Sequence, residues 1–301
     1  MNRGRAVQGS RKRTVLVTLL AGVAGVVWLL FFQKFRQDFF EHYYFMPLLG
    51  IIAATIANTT PAAAGIVYFP ILTKLHISPV ATARFSLMIQ AYGMGLGTPK
   101  WLLVDRRLFM MRVIPLCLAG GMVGGLLSVV FLPLSNPKML QLLFSGFALI
   151  VVQFIFYGII RRRRYLRETI ELTLRNSLVL FFCSLAGGMI SGWIGFGIDT
   201  VFYFVLTVFY QINPAVAIIT SIAIMAGVSI WCTLLNILFH SVPLALWYSA
   251  IPGVTLGGLF LASYVALKLG TRNVLLLFTL FLCMDFMLTL WTQEVFHWPY
   301  L

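Results

Sequence analysis

Acidic residues are scarce in this sequence: 8 Asp and Glu stand against 22 Lys and Arg, and charged residues make up only 10% of the 301 positions. A soluble globular domain carries about a quarter of its residues as charges, so that class is excluded. Cysteine is equally sparse. Cys117, Cys183, Cys232 and Cys283 stand alone in apolar segments with no CxxC pair, which argues against a disulfide framework or a zinc site and reads as small core hydrophobes. His42, His76, His240 and His297 fall at predicted segment ends, far from one another. No Ser/His/Cys constellation is visible, so no enzyme activity, metal or cofactor is expected.

What the chain has in abundance is apolar length. It is 60% hydrophobic, its mean hydropathy is +0.95, and apolar runs of roughly 18 residues or more recur from end to end, which defines a polytopic helical membrane protein. The net charge of +14 lies in clusters between apolar segments, where topology signals belong. The basic balance therefore points to the bilayer and not to nucleic acid.

Arg3, Arg5, Arg11, Lys12 and Arg13 precede one apolar span, Thr14–Phe32, with no small-x-small cleavage site after it; an uncleaved helix with a cytoplasmic N-terminus is expected. Gln33–His42, with mixed charges, reads as a linker. Tyr43–Leu75 is about 33 residues, roughly 50 Å as one helix and too long for a core of about 30 Å, yet too short for two crossings. Asn58-Thr59-Thr60-Pro61 supplies a break, with Thr60 as N-cap and Pro61 as first residue of a second half-helix. Pro79–Val104, Leu108–Leu132 and Lys138–Ile160 follow as full spans, the second carrying glycine pairs at 120–121 and 124–125 that allow close helix packing. Leu178–Tyr210 is again about 33 residues and broken at Gly195–Thr200; Pro214–Phe239, Pro243–Leu267 and Asn273–Trp291 complete the set.

The second half repeats the first. Ile77-Ser78-Pro79 matches Ile212-Asn213-Pro214, and Phe85-Ser86-Leu87 matches Thr220-Ser221-Ile222, at a constant offset, the mark of an internal duplication. If each broken segment returns to its own side, the N-terminus, Lys100–Arg107, Arg161–Arg175 and Lys268–Arg272 all fall in the cytoplasm, as the positive-inside rule requires. The expected fold is thus an all-α polytopic membrane protein of two inverted repeats. Each repeat is a re-entrant broken helix plus three transmembrane helices, and one extra N-terminal helix precedes them. The divisions are 1–42, 43–167 (repeat 1) and 168–301 (repeat 2). Inverted repeats with broken helices at the midplane are typical of secondary transporters.

Gly187, Ser191, Gly192, Gly195 and Gly197, followed by Pro214, Ala217, Thr220 and Ser221, with Gly50, Ala53, Gly65, Pro70, Pro79 and Ser86 in the first half, resemble the duplicated glycine-rich pattern of the TauE/SafE sulfite exporter family, also described as the toluene sulfonate uptake permease family. The sequence departs from that pattern at Ala54, Asn58, Pro61 and Ala63–Ala64, and Ile198 and Asp199 stand where the family prefers glycine. The resemblance implies a carrier in the plasma membrane (the bacterial inner membrane) for sulfite, sulfoacetate, thiosulfate or related anions, coupled to protons.

The half-helices that begin near Thr60-Pro61 and Asp199-Thr200 would turn unpaired N–H groups and a positive dipole end toward an anion. Expected substrate-binding residues are Asn58, Thr59, Thr60, Gly195, Gly197 and Thr200 at the breaks. Ser86 and Gln90, on one helix face with Thr82, join them, as do Thr220 and Ser221 in the other repeat and Arg84 within a span. A carboxyl group removed from water holds its proton more readily, so Asp199 and Asp285 are candidate proton carriers. The expected partners are a small anionic solute and the lipid bilayer, with a homodimer left open. Two alternatives stand: a carrier of the same fold for a different, even cationic, solute, which the two aspartates favour, and a non-transporting membrane assembly factor.

Overall fold

Proline and hydroxyl or amide caps fix the starts of the two longest buried helices. Pro79 and Pro214 occupy the first helical turn, and the side chains of Ser78 and Asn213 accept the amides of Ala81 (3.2 Å) and Ala215 (2.9 Å), satisfying donors that a helix start leaves unpaired. The structure, a computed structural model, describes residues 3–160 and 167–262, together with 264, 265, 279 and 283. Among the described residues the named elements are helices: α1 (Arg3–Glu41), α2 (Met46–Ala57), α3 (Gly65–Lys74), α4 (Pro79–Val104), α5 (Ile114–Leu126), α6 (Pro137–Ile160), α7 (Leu174–Ile194), α8 (Ile198–Phe204), α9 (Pro214–Phe239) and α10 (Leu244–Thr255). Wider π-helical turns, Leu127–Phe131, Val205–Phe209 and Leu256–Leu261, extend α5, α8 and α10.

Among the described residues, five stretches are long and apolar enough to cross a membrane: Val17–Glu41, Ile114–Phe131, Leu174–Ile194, Pro214–Phe239 and Leu244–Leu261. The first corrects the sequence expectation, because residues 33–41 are not a linker but continue α1. The charges there are spaced to leave an unbroken helix, with Gln37 Nε2 donating to Glu41 Oε1 one turn on. Helix α1 is peripheral. Its contact with the rest includes a stack of Trp28 on Tyr248 at 5.5 Å and a bond from the Tyr248 hydroxyl to the Trp28 carbonyl.

The glycine pairs do what small residues do in membrane interfaces, letting backbones touch. A Cβ on Gly120 would lie 2.6 Å from Phe181 O, and one on Gly188 would run into the backbone of Gly121, so α5 and α7 meet at main-chain distance. The equivalent contact in the other half joins α2 to α10: a Cβ on Gly50 would lie 2.9 Å from Ala250 O, and one on Gly253 would strike Pro47. Contact registers give the helix directions. Along α2 and α10, Pro47 faces Gly253 and Ile51 faces Gly257; along α4 and α10, Met88 faces Trp247 and Lys100 faces Gly258. These three run parallel. Helices α5, α7 and α9 likewise run parallel, with Gly120 at Phe181, Gly192 at Ser128, Leu118 at Gly227 and Val129 at His240. Helices α4 and α9 run antiparallel, since Arg84 meets Ser241 while Leu108 meets Thr220.

The buried core runs along α3, α4, α8 and α9. Phe196, fully buried between α7 and α8, packs on Phe144 (5.4 Å) and Phe147 (5.6 Å) of α6, and Phe144 stacks on Phe69 of α3 at 4.5 Å. Each such pair contributes about 0.5–1.5 kcal/mol beyond its buried area.

Replacing Gly188 by Val should force α5 from α7 and cost about 1–3 kcal/mol, seen as a lower thermal midpoint in detergent. Gly146→Ala, whose new methyl would meet nothing within 4 Å, should leave the midpoint unchanged or raise it. Equal midpoints for Gly188→Val and the parent would show that the α5–α7 contact is looser than described.

Candidate functional site

Both expected helix breaks exist, and they are built differently. The first covers residues 58–64, between α2 and α3. Thr60 does not open the second half-helix, and neither does Pro61: α3 begins at Gly65, with Ala64 before it and no side-chain cap. Although the Thr60 hydroxyl accepts the Ala62 amide at 3.3 Å, no helix follows there, and both threonine hydroxyls donate backward. Thr59 Oγ1 donates to Thr55 O (2.7 Å) and Thr60 Oγ1 to Ile56 O (2.9 Å), which finishes α2 instead of starting α3. The second break is tight, Gly195-Phe196-Gly197, and depends on glycine backbone: φ is +85° at Gly195 and +142° at Gly197, a region open to glycine and strained for other residues. Gly197 is the N-cap of α8, so Asp199 sits in the first turn and is not the cap. The Ile198 amide is held by Ser191 Oγ at 2.9 Å.

The two breaks touch. Thr200 Oγ1 donates to the carbonyl of Pro61 at 2.8 Å, and Gln90 Nε2 of α4 donates to the carbonyl of Gly195 at 2.7 Å. A Cβ on Gly65 would lie 3.0 Å from Phe196 Cδ1 and 3.1 Å from both Gly195 O and Gln90 Nε2. Ser86 stands beside the same glycine, its Cβ 2.7 Å from where a Gly195 side chain would begin. Gly195, Thr200, Ser86 and Gln90 thus border one buried junction with Pro61 and Gly65, whereas Gly197 faces Ile190 and Phe147 and the side chains of Asn58, Thr59 and Thr60 bond back onto α2. Gln90 Oε1 has no hydrogen-bond partner there, and neither do the buried Asn58 Oδ1, against Gly97, and Thr82 Oγ1, one turn before Ser86. The Asp199 carboxylate, 1% exposed, is bordered by the amides of Gly197, Asp199 and Thr200 and by the Thr200 hydroxyl. None of these reaches full hydrogen-bond geometry with it.

Other expected site residues lie elsewhere. Thr220 is a clamp: its hydroxyl accepts the Met110 amide (3.1 Å) and donates to Leu108 O (3.4 Å), tying the turn after α4 to α9. Ser221 bonds within its own helix to Ile218 O at 2.8 Å. Arg84 is half-buried, with Nη1 on Ser241 O at 3.1 Å. It lines a small open cleft of about 30 Å³ with Ser128, Ser135, Gly192, Trp193, Asn236 and His240. That cleft gathers the carbonyl ends of α5, α7 and α9, where a guanidinium is favourable as a cap. Asp285 lies outside the described residues.

One residue escaped the sequence reading. Lys100, expected in a solvated cytoplasmic cluster, is only 1% exposed; its Nζ donates to Gly258 O at 2.8 Å and lies 5.4 Å from the Trp101 ring. The signal was there: the apolar run Trp101-Leu102-Leu103-Val104 carries α4 a further turn past the charge.

Apolar spans, two interrupted helices in contact and a buried polar junction define an integral membrane protein of transporter type. The model of the family "Sulfite exporter TauE/SafE" matches residues 46–286. This chain therefore belongs to the TauE/SafE sulfite exporter family, whose members are membrane transporters and not enzymes. No curated protein and no solved structure matches it.

Thr200→Val should cost about 1 kcal/mol or more, because it strands the buried Pro61 carbonyl, and Thr200→Ser should recover the loss. The measurement is thermal unfolding in detergent, and equal midpoints for all three proteins would show that the contact between breaks does not contribute.

Proposed function

We propose that the protein is a secondary transporter of a small sulfur-containing or organic oxyanion, operating by alternating access around the junction of its two helix breaks. The observation that carries this reading is the pairing of Thr200 with Pro61 and of Gln90 with Gly195, which brings the two irregular segments together in a buried setting. Irregular backbone at membrane depth is tolerated only where protein or a water-filled cavity surrounds it, and carriers place their sites at such breaks.

Helix directions support the inverted arrangement. Helices α2 and α4 run the same way, so α3 carries the chain back between them as one arm of a re-entrant hairpin; α7 and α9 run the same way, so α8 does the same. The counterparts α4 and α9 are antiparallel, as expected of repeats 43–167 and 168–301 with opposite orientation. The arms are unequal, since α7 has 21 residues and α2 has 12. On the positive-inside rule the N-terminus is cytoplasmic.

Asn58, Thr60, Ser86, Gln90 and Thr200 would line the path, and Asp199 would carry the coupled proton. A charged carboxylate at the junction repels an anion, whereas a protonated one can donate to it. The unbonded Asp199 carboxylate is also what a cation carrier would offer, and that second reading predicts stabilisation by amines.

Anions are expected to raise the thermal midpoint of the purified protein in the order sulfite and sulfonates above carboxylates, with amines inert; stabilisation by amines alone would transfer the assignment to a cation carrier. In proteoliposomes, anion uptake should rise as pH falls. Asp199→Asn should flatten that dependence, and an unchanged pH profile in this variant would remove Asp199 from proton coupling.

A further inference from the structure

The small cleft beside Arg84 is crossed by three bonds in which the junction of the two breaks takes no part. Each runs from a side chain in one half of the chain to a main-chain carbonyl in the other. Arg84 Nη1 of α4 donates to Ser241 O, just past α9, at 3.1 Å. The His240 ring donates from Nε2 to Val129 O, near the end of α5, at 3.0 Å, and Trp193 Nε1 of α7 donates to Leu132 O at 2.8 Å.

The opening they span lies at the end of the molecule where α4 begins and α5, α7 and α9 finish. Its volume of about 30 Å³ leaves room for a water or two and is too small for a larger solute. Its inner wall is thin. Ala83, Gly192 and Trp193 line it, and Ala83 O lies 2.6 Å from where a Gly195 side chain would begin, with Ser86 Cβ at 2.7 Å. One layer of residues thus separates the cleft from the second break. The lining includes no carboxylate, so Arg84 is held there by a neutral carbonyl and not by a two-pronged ion pair, the stronger tie.

The opposite end of the molecule does not repeat this set. At the register that pairs Pro79 with Pro214, Arg84 pairs with Ile219, and Asn236 and His240 pair with Trp101 and Asp105. There the halves are tied by the Thr220 hydroxyl, on Met110 N and Leu108 O.

We propose that the cleft is the shut outer mouth of the transport path and that Arg84, His240 and Trp193 form its gate, ties between the halves that part when a solute passes to or from the junction. The gate presupposes the transporter reading with its cytoplasmic N-terminus. Because α1 finishes where α2 and α4 begin, this end then faces away from the cytoplasm.

The test is cross-linking of the full-length protein in proteoliposomes. Arg84→Cys combined with Ser241→Cys is joined by a reducible bifunctional thiol reagent, and the product is verified by mass spectrometry. Sulfite uptake should be present before the reagent, lost after it and restored by reduction, while each single variant keeps its uptake under the same treatment. A bond that serves only stability has no need to part, so uptake undiminished by the formed cross-link would overturn the gate. Should that pair be inert before treatment, Val129→Cys with His240→Cys carries the same test with the same two outcomes. Accessibility gives a second readout. Ser128 lines the cleft and is 1% exposed; Ser128→Cys should react with a membrane-impermeant thiol reagent faster when Arg84→Gln is added, and an unchanged rate would remove Arg84 from the gate. A parent protein that takes up no anion would instead sink the carrier reading on which the gate depends.

Discussion

A polypeptide that leaves helical geometry inside a bilayer must still find a partner for each peptide group it frees, because no water is there to take the bond. In this protein the freed groups of each break are met by residues from elsewhere in the chain. Pro61 O, at the first break, is bonded by Thr200 from the second, and Gly195 O is bonded by Gln90 of α4. Ser191 reaches across the second break to the Ile198 amide. Leaving any one of these groups open would cost about as much as a typical destabilising mutation, or more. The breaks are therefore possible only together. Removing one half of the chain would strand the peptide groups of the other.

The two breaks solve the same problem with different residues. The second uses glycine for its positive φ angles and for close approach to Ala83 and Ser86. The first has no positive φ; it winds out of α2 through two threonines whose hydroxyls bond back one turn, and crosses a longer run before α3. Backward bonds of this type compete with helix continuation and loosen it. Alanines at 62–64 then pass through the core with little side chain to place. Two interruptions of similar placement are thus reached by different local chemistry.

Much of this is legible in the order of amino acids alone. Apolar length and spacing define the membrane class, the paired glycines of α5 mark a close helix contact, and the segments too long for one crossing locate both breaks. What is not legible depends on direction. Thr60 before Pro61 reads as an N-cap in any sequence, and only the Ile56 carbonyl decides that it finishes a helix. Thr220 looks like a path-lining hydroxyl, yet it faces the turn at Leu108–Met110. Arg84 could face either way along α4, and the carbonyl end of α9 fixes it. For Lys100 the neighbouring arginines and Asp105 suggest a water-facing cluster, although the helix continues past it into packed surroundings. Charge type is visible in a sequence, while burial of a charge is a property of the partners that the fold brings to it.

The distribution of charge at the breaks has a consequence for coupling. Lys100 stands near the first break and Asp199 lies in the first turn of α8, just past the second, both almost fully buried. Screening by salt is weak in such surroundings, so charges there interact more strongly than they would in water. On the proposed transporter reading, an anion held at the junction of the breaks disfavours a negative Asp199 and so favours its protonated form. By linkage, a proton on Asp199 must favour the anion by the same factor. On that reading, coupling between the two solutes requires no contact between them and no dedicated relay, only shared surroundings of low polarity. A carrier working in this way would move anion and proton in the same direction, because each then favours the binding of the other.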